Sequence, residues 1–443
     1  MLFFLLIFIV FFIFFIPILF RSEKIGVNVY TIFLVVLFFQ LIVRNILIAF
    51  DLPDETYVQS VLLRGLKLNE IILSPLIFFI SSIFIVLSYM IFRAHKEFEK
   101  SSSTFFFLKR NPNEKKIFFW CILFFLISLI SNLIFFSQFD LSLISFYRGA
   151  TAEIEQYSAQ GYLRLGVGLS IIPAFVGLAY FWQHKKTSLR NSFLTLSIFS
   201  FFLLTTGAFL SSSRAVILVA FIGILFLALM SDRKIKILRS ISLLTLIFSL
   251  ISFMTIYRTS EERNDLNLEA FKQFSDAPLY LIVNQGGIDV IKTQHLIDYV
   301  KEKNDYRYGE LLSNIVLLSI PRSLWRDKPV NIDTQFGMSV YEADVYGAGA
   351  VPPGILGEFF WDFSWIGLIV ASLISGMLMG LLDKILHKNR ESIFIKVIFS
   401  ASLIWTGMAL LGSGFVSFFI GVMYLFVPMG IMFLLSNISF RKT

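Results

Sequence analysis

Several arginines in hydrophilic segments between long apolar runs could bind an oxyanion. Arg214 ends the sequence Ser-Ser-Ser-Arg, which links two apolar runs, and Arg148 and Arg258 lie in other hydrophilic segments. A guanidinium group presents paired N–H donors that match two oxygens of a phosphate. Ser212 and Ser213 could add hydroxyl donors beside Arg214, or they could serve as ordinary turn and capping residues. Each arginine could instead anchor the end of a membrane span at the lipid headgroups.

The sequence Ile-Pro-Arg-Ser-Leu-Trp-Arg-Asp-Lys-Pro at 320–329 is a second basic feature. It places Arg322, Arg326 and Lys328 around Trp325, between two prolines. We expect Trp325 to lie at a membrane interface, where tryptophan is enriched. The motif lies near the end of the longest hydrophilic segment, in which acidic residues outnumber basic ones. The segment as a whole is therefore not a general polyanion binder.

Two other residue types in the chain could move a proton. His295 is a candidate general base because histidine titrates near neutral pH, although a single histidine in a loop is often only a solvated surface residue. Glu358 and Asp362 lie one helical turn apart at the start of an apolar run. Ionisable groups at membrane depth indicate function, but carboxylates are also favoured at a helix N-terminus.

No metal or cofactor is predicted from the sequence. No set of His, Cys, Asp and Glu has the spacing of a zinc site, and no acidic cluster indicates calcium or magnesium. We therefore expect a metal-free mechanism without a cofactor.

The elements that must position these residues are membrane-spanning helices. The chain has 443 residues, of which 57% are hydrophobic and 15% charged, and 53 are phenylalanine. Its apolar runs are long enough to cross a bilayer, which takes about 20 residues. They predict an all-α polytopic integral membrane protein with about eleven transmembrane helices, near 2–20, 25–43, 70–92, 117–137, 163–182, 191–210, 215–230, 240–256, 364–383, 393–411 and 415–436.

The distribution of positive charge predicts the orientation of these helices. More than half of the 38 Lys and Arg residues lie in one alternating set of short segments, 21–24, 93–116, 183–190, 231–239, 384–390 and 437–443. Positive charge in short loops marks the cytoplasmic side. The prediction is that 1–256 holds spans one to eight, 257–353 is one large outward-facing loop with short helices, and 354–443 holds spans nine to eleven.

The predicted cytoplasmic segments are too short to hold a nucleotide-binding domain. A typical domain has about 100 residues or more, and no cytoplasmic segment contains a glycine-rich phosphate loop. Any chemistry must therefore draw on a group that is already in the membrane or outside it. The same topology excludes a nucleic-acid partner, despite the formal net charge of +8.

The motif at 320–329, together with Gly-Glu-Phe-Phe-Trp-Asp-Phe-Ser-Trp-Ile-Gly at 357–367, resembles the Wzy-type oligosaccharide repeat-unit polymerases, also called O-antigen polymerases. The Ser-Ser-Arg turn at 212–214 before an apolar span is similar as well, as is the layout of ten or more spans with two functional outward loops. The sequence departs from the Arg-x10-Gly repeats of some members, because the position that would complete the repeat from Arg148 is Ala159.

The resemblance implies block transfer of a glycan at the periplasmic face of the bacterial inner membrane. In such enzymes a growing glycan on undecaprenyl pyrophosphate is transferred to the terminal sugar of a new lipid-linked repeat unit. The implied partners are undecaprenyl-pyrophosphate-linked oligosaccharides, membrane lipids and a chain-length regulator protein. The large loop 257–353 would then be periplasmic.

The resemblance also implies roles for the candidate residues. Arg214, Arg258 and Arg322 are expected to stabilise the departing pyrophosphate, and His295 or Glu358 is expected to act as the base. The expected substrate-binding residues are Arg148, Arg326, Lys328, Ser212, Ser213 and Trp325. We further expect Arg148, Arg214, Arg258 and Arg322 to converge on one outward-facing cavity.

Two alternatives remain at the level of the sequence. An O-antigen ligase uses the same donor but transfers the glycan to lipid A–core. A transporter or lipid-glycan flippase would need charged and polar residues inside its spans near the bilayer midplane, and the predicted spans contain few of them.

Overall fold

The computed structural model describes the chain in separate ranges: residues 30, 33–34, 37–52, 66, 71, 73–94, 113–137, 166, 168–183, 188–210, 214–231, 289–317, 325, 332–342, 353–389, 391–408 and 414–437. Within these ranges no residue is in a β-strand. The described part of the chain is therefore all-α, as the sequence predicts.

The described helices are mostly long and apolar, and three shorter ones follow one another between Val290 and Tyr341. A π-helical stretch, Phe38–Val43, leads into the first α-helix. In chain order the α-helices are α1 (Arg44–Ala49), α2 (Leu73–Ala94), α3 (Glu114–Ser137), α4 (Ile171–Gln183), α5 (Arg190–Leu210), α6 (Arg214–Met230), α7 (Val290–Lys303), α8 (Glu310–Leu317), α9 (Ile332–Tyr341), α10 (Gly354–Lys388), α11 (Ile393–Met408) and α12 (Phe415–Asn437).

Four of the described helices, α2, α3, α5 and α10, are long and apolar enough to cross a membrane. They coincide with the spans predicted near 70–92, 117–137, 191–210 and 364–383. The spans predicted near 2–20 and 240–256 lie outside the described residues. The protein is thus an α-helical membrane protein, while the total of eleven spans and the division into 1–256, 257–353 and 354–443 stay predictions.

Helices α2 and α10 share the most extensive contact of any described helix pair. Small residues make this possible, because a Cβ added at Gly376 would overlap with the carbonyl oxygen of Ile85. A Cβ at Gly380, one turn further on, would lie only 3.1 Å from the Cβ of Phe92. Ser88 Oγ donates a hydrogen bond of 2.7 Å to the carbonyl oxygen of Leu373 across the pair. Close backbone approach through small residues is how helices associate without a hydrophobic driving force in lipid.

Helix α10 is kinked near its first third. Phe363 and Ser364 have non-helical backbone angles, and Ser364 has a φ of 57°. Gly367 follows the kink, and any side chain there would overlap with the carbonyl oxygen of Phe359. The kink divides α10 into a short buried segment that begins at Gly354 and a long apolar segment that ends at Lys388.

The described part of 257–353 contains the three short helices α7, α8 and α9. Helix α7 packs on α2, α9 and α10, and α8 packs on α10 and α12. The hydrophilic segment therefore rests directly on the beginnings of the long helices, where its side chains and those of α10 form a common buried region.

Candidate functional site

The structure describes only some of the predicted site residues. The side chains of His295, Trp325 and Glu358 are described, and Trp325 is partly buried. Arg214 is the first residue of α6. The remaining candidates, which lie outside the described residues, are Arg148, Ser212, Ser213, Arg258, Arg322, Arg326 and Lys328. The convergence of the arginines on one cavity therefore stays a prediction.

Glu358 lies in the first segment of α10 and is fully buried. Its carboxyl group lies against Gly414, so that a Cβ added at Gly414 would overlap with Oε1 of that group. Gly414 has a φ of +87° and directly precedes α12. Glycine is needed at this position both for the backbone angle and for the close approach. The carboxyl group is therefore placed at the N-terminus of α12, where the helix dipole favours a negative charge.

Asp362, one turn after Glu358, is also fully buried, and its position has a structural explanation. Its two carboxyl oxygens accept hydrogen bonds from the backbone N–H groups of Leu311 and Leu312, each at 3.2 Å. These groups belong to the first turn of α8, where N–H groups have no partner within the helix. Asp362 thus caps α8 from a neighbouring helix, and Glu358 remains the carboxylate with a candidate chemical role.

His295 lies on α7 and is half-buried. Its ring meets the ring of Tyr341 edge to face, with the centroids 5.4 Å apart. The next residue, Leu296, packs on the residue before Glu358, because a Cβ added at Gly357 would lie 3.2 Å from Leu296 Cδ2. The two predicted acid–base residues are therefore carried by helices that touch at the positions adjacent to them.

A buried ion pair fastens α7 to the beginning of α1. Arg44 and Asp289 form two hydrogen bonds, Nη1 to Oδ1 at 3.1 Å and Nη2 to Oδ2 at 2.9 Å. Their side chains are only 1% and 7% exposed. Asp289 also caps α7, since Oδ1 accepts from the backbone N–H groups of Ile291 and Lys292 at 3.0 and 3.2 Å.

The electrostatics of this pair keep Asp289 ionised. Burial by itself would raise the pKa of Asp289, but the charges of Arg44 and Lys292 and the hydrogen bonds to the carboxylate outweigh it and hold the pKa below its usual range. The sequence prediction did not include Arg44 as a site residue. The available signal was its position directly after a long apolar run, where a charged side chain needs a partner.

Helix α7 is also fastened to the beginning of α2. Ser74 Oγ donates a hydrogen bond to the carbonyl oxygen of Val290 at 2.5 Å, and the Ser74 backbone N–H donates to Gln294 Oε1 at 3.1 Å. Gln294 Nε2 donates in turn to Asp298 Oδ1 at 2.9 Å. The helix that carries His295 is thus held on two sides by buried polar contacts.

A family model described as O-antigen polysaccharide polymerase Wzy matches residues 1–440. The chain belongs to this family. The match spans the whole arrangement of apolar helices together with the segment that holds α7, α8 and α9. Comparison with curated proteins and with solved structures gave no match.

Membership implies a glycosyltransferase-type activity in polysaccharide biosynthesis, with lipid-linked oligosaccharides as substrates. The predicted acid–base residues Glu358 and His295 lie on adjoining helices of the described part of the chain, and their roles stay predictions. Within the described ranges, no three His, Cys, Asp or Glu side chains lie together as a metal site would require. The metal-free mechanism stays a prediction.

Proposed function

We propose that this chain polymerises O-antigen repeat units carried on undecaprenyl pyrophosphate at the periplasmic face of the inner membrane. The observation that carries the proposal is the family match over residues 1–440. The all-α apolar fold with long membrane-spanning helices supports it, because a lipid-linked substrate is reached from within the membrane. A chain-length regulator protein is the proposed partner.

The reaction breaks one bond and forms another at the same carbon. The bond between the anomeric carbon of the growing glycan and the pyrophosphate oxygen breaks, and the lipid pyrophosphate leaves with the electron pair. The oxygen of a hydroxyl on the terminal sugar of the new repeat unit bonds to that carbon. Its proton passes to Glu358 or His295 as the base. The lipid pyrophosphate is the leaving group, so no nucleotide is consumed.

The proposed roles of the basic residues follow from the charge that develops on the leaving group. Cationic donors that are already in place stabilise such charge without reorganisation. We assign Arg214, Arg258 and Arg322 to the departing pyrophosphate. The proposed binding residues for pyrophosphate and glycan are Arg148, Arg326, Lys328, Ser212, Ser213 and Trp325.

The test of the function is a deletion strain with its lipopolysaccharide separated on a gel. Loss of the protein should leave lipid A–core capped with single repeat units and no ladder of longer chains, and the wild-type gene should restore the ladder. Complete loss of capping would instead identify a ligase. Unchanged ladders would contradict both assignments.

Variants of the complementing gene test the proposed roles. Arg214→Ala and Arg322→Ala should each reduce long-chain glycan about tenfold or more, because a hydrogen bond to a charged group contributes about 1.5–3 kcal/mol. Glu358→Gln should abolish the ladder if Glu358 is the base. Asp362→Asn is the matched control, because its remaining carbonyl oxygen still accepts one of the two α8 hydrogen bonds. Equal membrane levels of all variants must be shown by immunoblot.

A further inference from the structure

The connection between α7 and α8 is fixed to the kinked helix α10 by backbone hydrogen bonds. The N–H groups of Arg307 and Tyr308 donate to the carbonyl oxygens of Trp361 and Asp362, each at 3.0 Å. Trp361 Nε1 donates to the carbonyl oxygen of Asp305 at 2.9 Å. The kink leaves these carbonyl oxygens of α10 without their usual helical donors, and the connection supplies replacements. The connection is therefore held directly on α10.

Tyr308 is held outward by this connection in an uncommon conformation. Its φ is +47°, and the following Gly309 has a φ of +94°. The left-handed region is unfavourable for a bulky residue, and glycine or asparagine would serve a simple turn better. Tyr308 is nevertheless 80% exposed, the largest fraction among the exposed large hydrophobic side chains of the described residues. The backbone is thus shaped to present an aromatic ring that makes little contact with the rest of the protein.

Polar side chains with defined contacts lie next to Tyr308 along the connection between α7 and α8. Arg307 lies over the ring of Trp361 at 5.2 Å and forms ion pairs with Asp305 at 3.0 Å and Glu310 at 3.5 Å. The side chains of Arg307 and Asp305 are 26% and 28% exposed, so their outer edges can still bind a ligand. Tyr299 donates a hydrogen bond of 3.0 Å to Asp305 Oδ2 from the inner side.

We propose that Tyr308, Arg307 and Asp305 form a binding subsite for one sugar ring of the oligosaccharide substrate. The Tyr308 ring stacks on the apolar C–H face of the sugar, as an aromatic ring with one open face can do. The guanidinium of Arg307 donates to the hydroxyls at the sugar edge, and the carboxylate of Asp305 accepts from them. The inference rests on the proposed function in one respect, namely that the glycan reaches this surface from the periplasm.

The local charge favours a neutral sugar over the pyrophosphate of the same substrate. One cation, Arg307, faces two carboxylates, Asp305 and Glu310, within ion-pairing distance. An anionic phosphate would be repelled by this excess of negative charge, whereas hydroxyl groups can bind to either sign. The subsite is therefore expected to bind the glycan part of the substrate and not its pyrophosphate.

The experiment measures binding of lipid-free glycan to the full chain in lipid nanodiscs. The probe is the O-polysaccharide released by mild acid from the lipopolysaccharide of the producing strain, and its dissociation constant is obtained by microscale thermophoresis. Tyr308→Asn and Tyr308→Gly should each weaken binding about tenfold or more, and Tyr308→Phe should change it less than about threefold. Asparagine and glycine both accept a positive φ, so the midpoint of thermal unfolding of these two variants should not fall. Tyr308→Gly serves as the second variant if Tyr308→Asn does not fold.

Two controls separate the subsite from other roles of an exposed aromatic residue. Trp365 is 43% exposed and lies just after the kink of α10. Trp365→Leu should leave glycan binding unchanged. Wild-type binding by Tyr308→Asn and Tyr308→Gly would overturn the proposal. An equal loss in Trp365→Leu would overturn it in favour of a membrane-interface role. Competitive displacement by inorganic pyrophosphate would overturn it in favour of an anion site.

The same variants distinguish this proposal from the proposed function. Glycan binding involves no transfer step, so it can depend on Tyr308 even in a protein that makes no ladder in the deletion strain. That result would retain the subsite and reject the polymerase assignment. Full restoration of the ladder by the wild type, with glycan binding independent of Tyr308, would retain the polymerase assignment and reject the subsite.

Discussion

Arg44 and Asp289 show how a fully buried charge is accommodated at the base of the hydrophilic segment. The carboxylate receives the guanidinium and two backbone N–H groups, so neither charge lacks compensation. Removal of one partner of a buried pair leaves the other charge without compensation, and this costs more than the pair itself contributes. The same helix carries an exposed ion pair, Lys303 with Glu302, so the two situations can be compared within α7.

Asp289→Ala should lower stability much more than Glu302→Ala. The first change leaves Arg44 buried without its anion and removes the N-cap of α7, and breaking such a pair costs about 3–5 kcal/mol. The second removes a solvated pair and should be neutral within error. The measurement is the midpoint of thermal unfolding of the purified protein in detergent. Equal midpoints for the two variants would contradict the structural role of the buried pair.

The thermal stability of the protein at acidic pH should depend on the ionisation of Asp289. Its pKa is lower in the folded protein than the ordinary value of 3.8, so the ionised form is favoured by folding. Its contribution is complete above the ordinary value and is lost as the pH falls through the lowered folded value. Thermal midpoints of the wild type should therefore fall more steeply than those of Asp289→Asn between about pH 5 and about pH 2. Parallel curves would show that another group dominates acid unfolding.

At the scale of elements, the contact between α2 and α10 is the frame that places the kinked start of α10. Ser88 bonds to Leu373 across the pair, and Gly376 and Gly380 allow the two helices to approach closely. The segment that carries Glu358 and Asp362 is continuous with this packed part of α10. A change in the separation of the two helices would therefore shift both carboxylates.

Gly376→Ala should destabilise the protein, whereas Gly430→Ala should not. The added methyl group at Gly376 would overlap with the backbone of α2, while no atom of the described residues lies within 4 Å of a Cβ at Gly430 on α12. Overpacking of this kind costs about 1–3 kcal/mol, and alanine in an open helical position is slightly favourable. The readout is the thermal midpoint together with ladder formation in the deletion strain. A stable Gly376→Ala protein would show that α2 and α10 can separate without loss.

The elements themselves could be predicted because membrane spans carry a local signal. The runs near 70–92 and 117–137 appear as α2 and α3, since about 20 consecutive apolar residues have few other structures available. The kink at Phe363 and Ser364 could not be predicted in this way. It depends on hydrogen bonds from Arg307 and Tyr308, which are far away in the sequence.

The same limit applies to the candidate site. The sequence shows Glu358 at the start of an apolar run, and the structure adds that its side chain is fully buried in α10. The partner of Asp289 was not expected, because Arg44 lies 245 positions away and no spacing rule links a span end to a loop helix. Asp362 was grouped with Glu358 by proximity alone, whereas the structure gives it a capping role at Leu311 and Leu312.

At the scale of the whole molecule, the proposed reaction requires the region around α7 and the basic loop 384–390 to lie on opposite sides of the membrane. The predicted orientation rests on the positive charge of the short segments. Helix α10 connects the two regions, beginning at Gly354 beside α7 and ending at Lys388. Its length of 35 residues exceeds the about 20 residues that a bilayer core needs. Helix α10 is therefore long enough to join the region around α7 to a loop on the other side of the membrane.

Single cysteines on α7 and at the end of α10 should react with a reagent from opposite sides of the membrane. Glu302 has a side chain that is 73% exposed, and Lys388 is exposed near the other end of α10. The one native cysteine, Cys121, is buried in α3, so a membrane-impermeant maleimide should not label it. Glu302→Cys should be labelled in intact spheroplasts, and Lys388→Cys only after the membrane is permeabilised. Labelling of Lys388→Cys from outside would reverse the orientation and remove the periplasmic site, because Glu358, His295 and the basic motif at 320–329 would then face the cytoplasm.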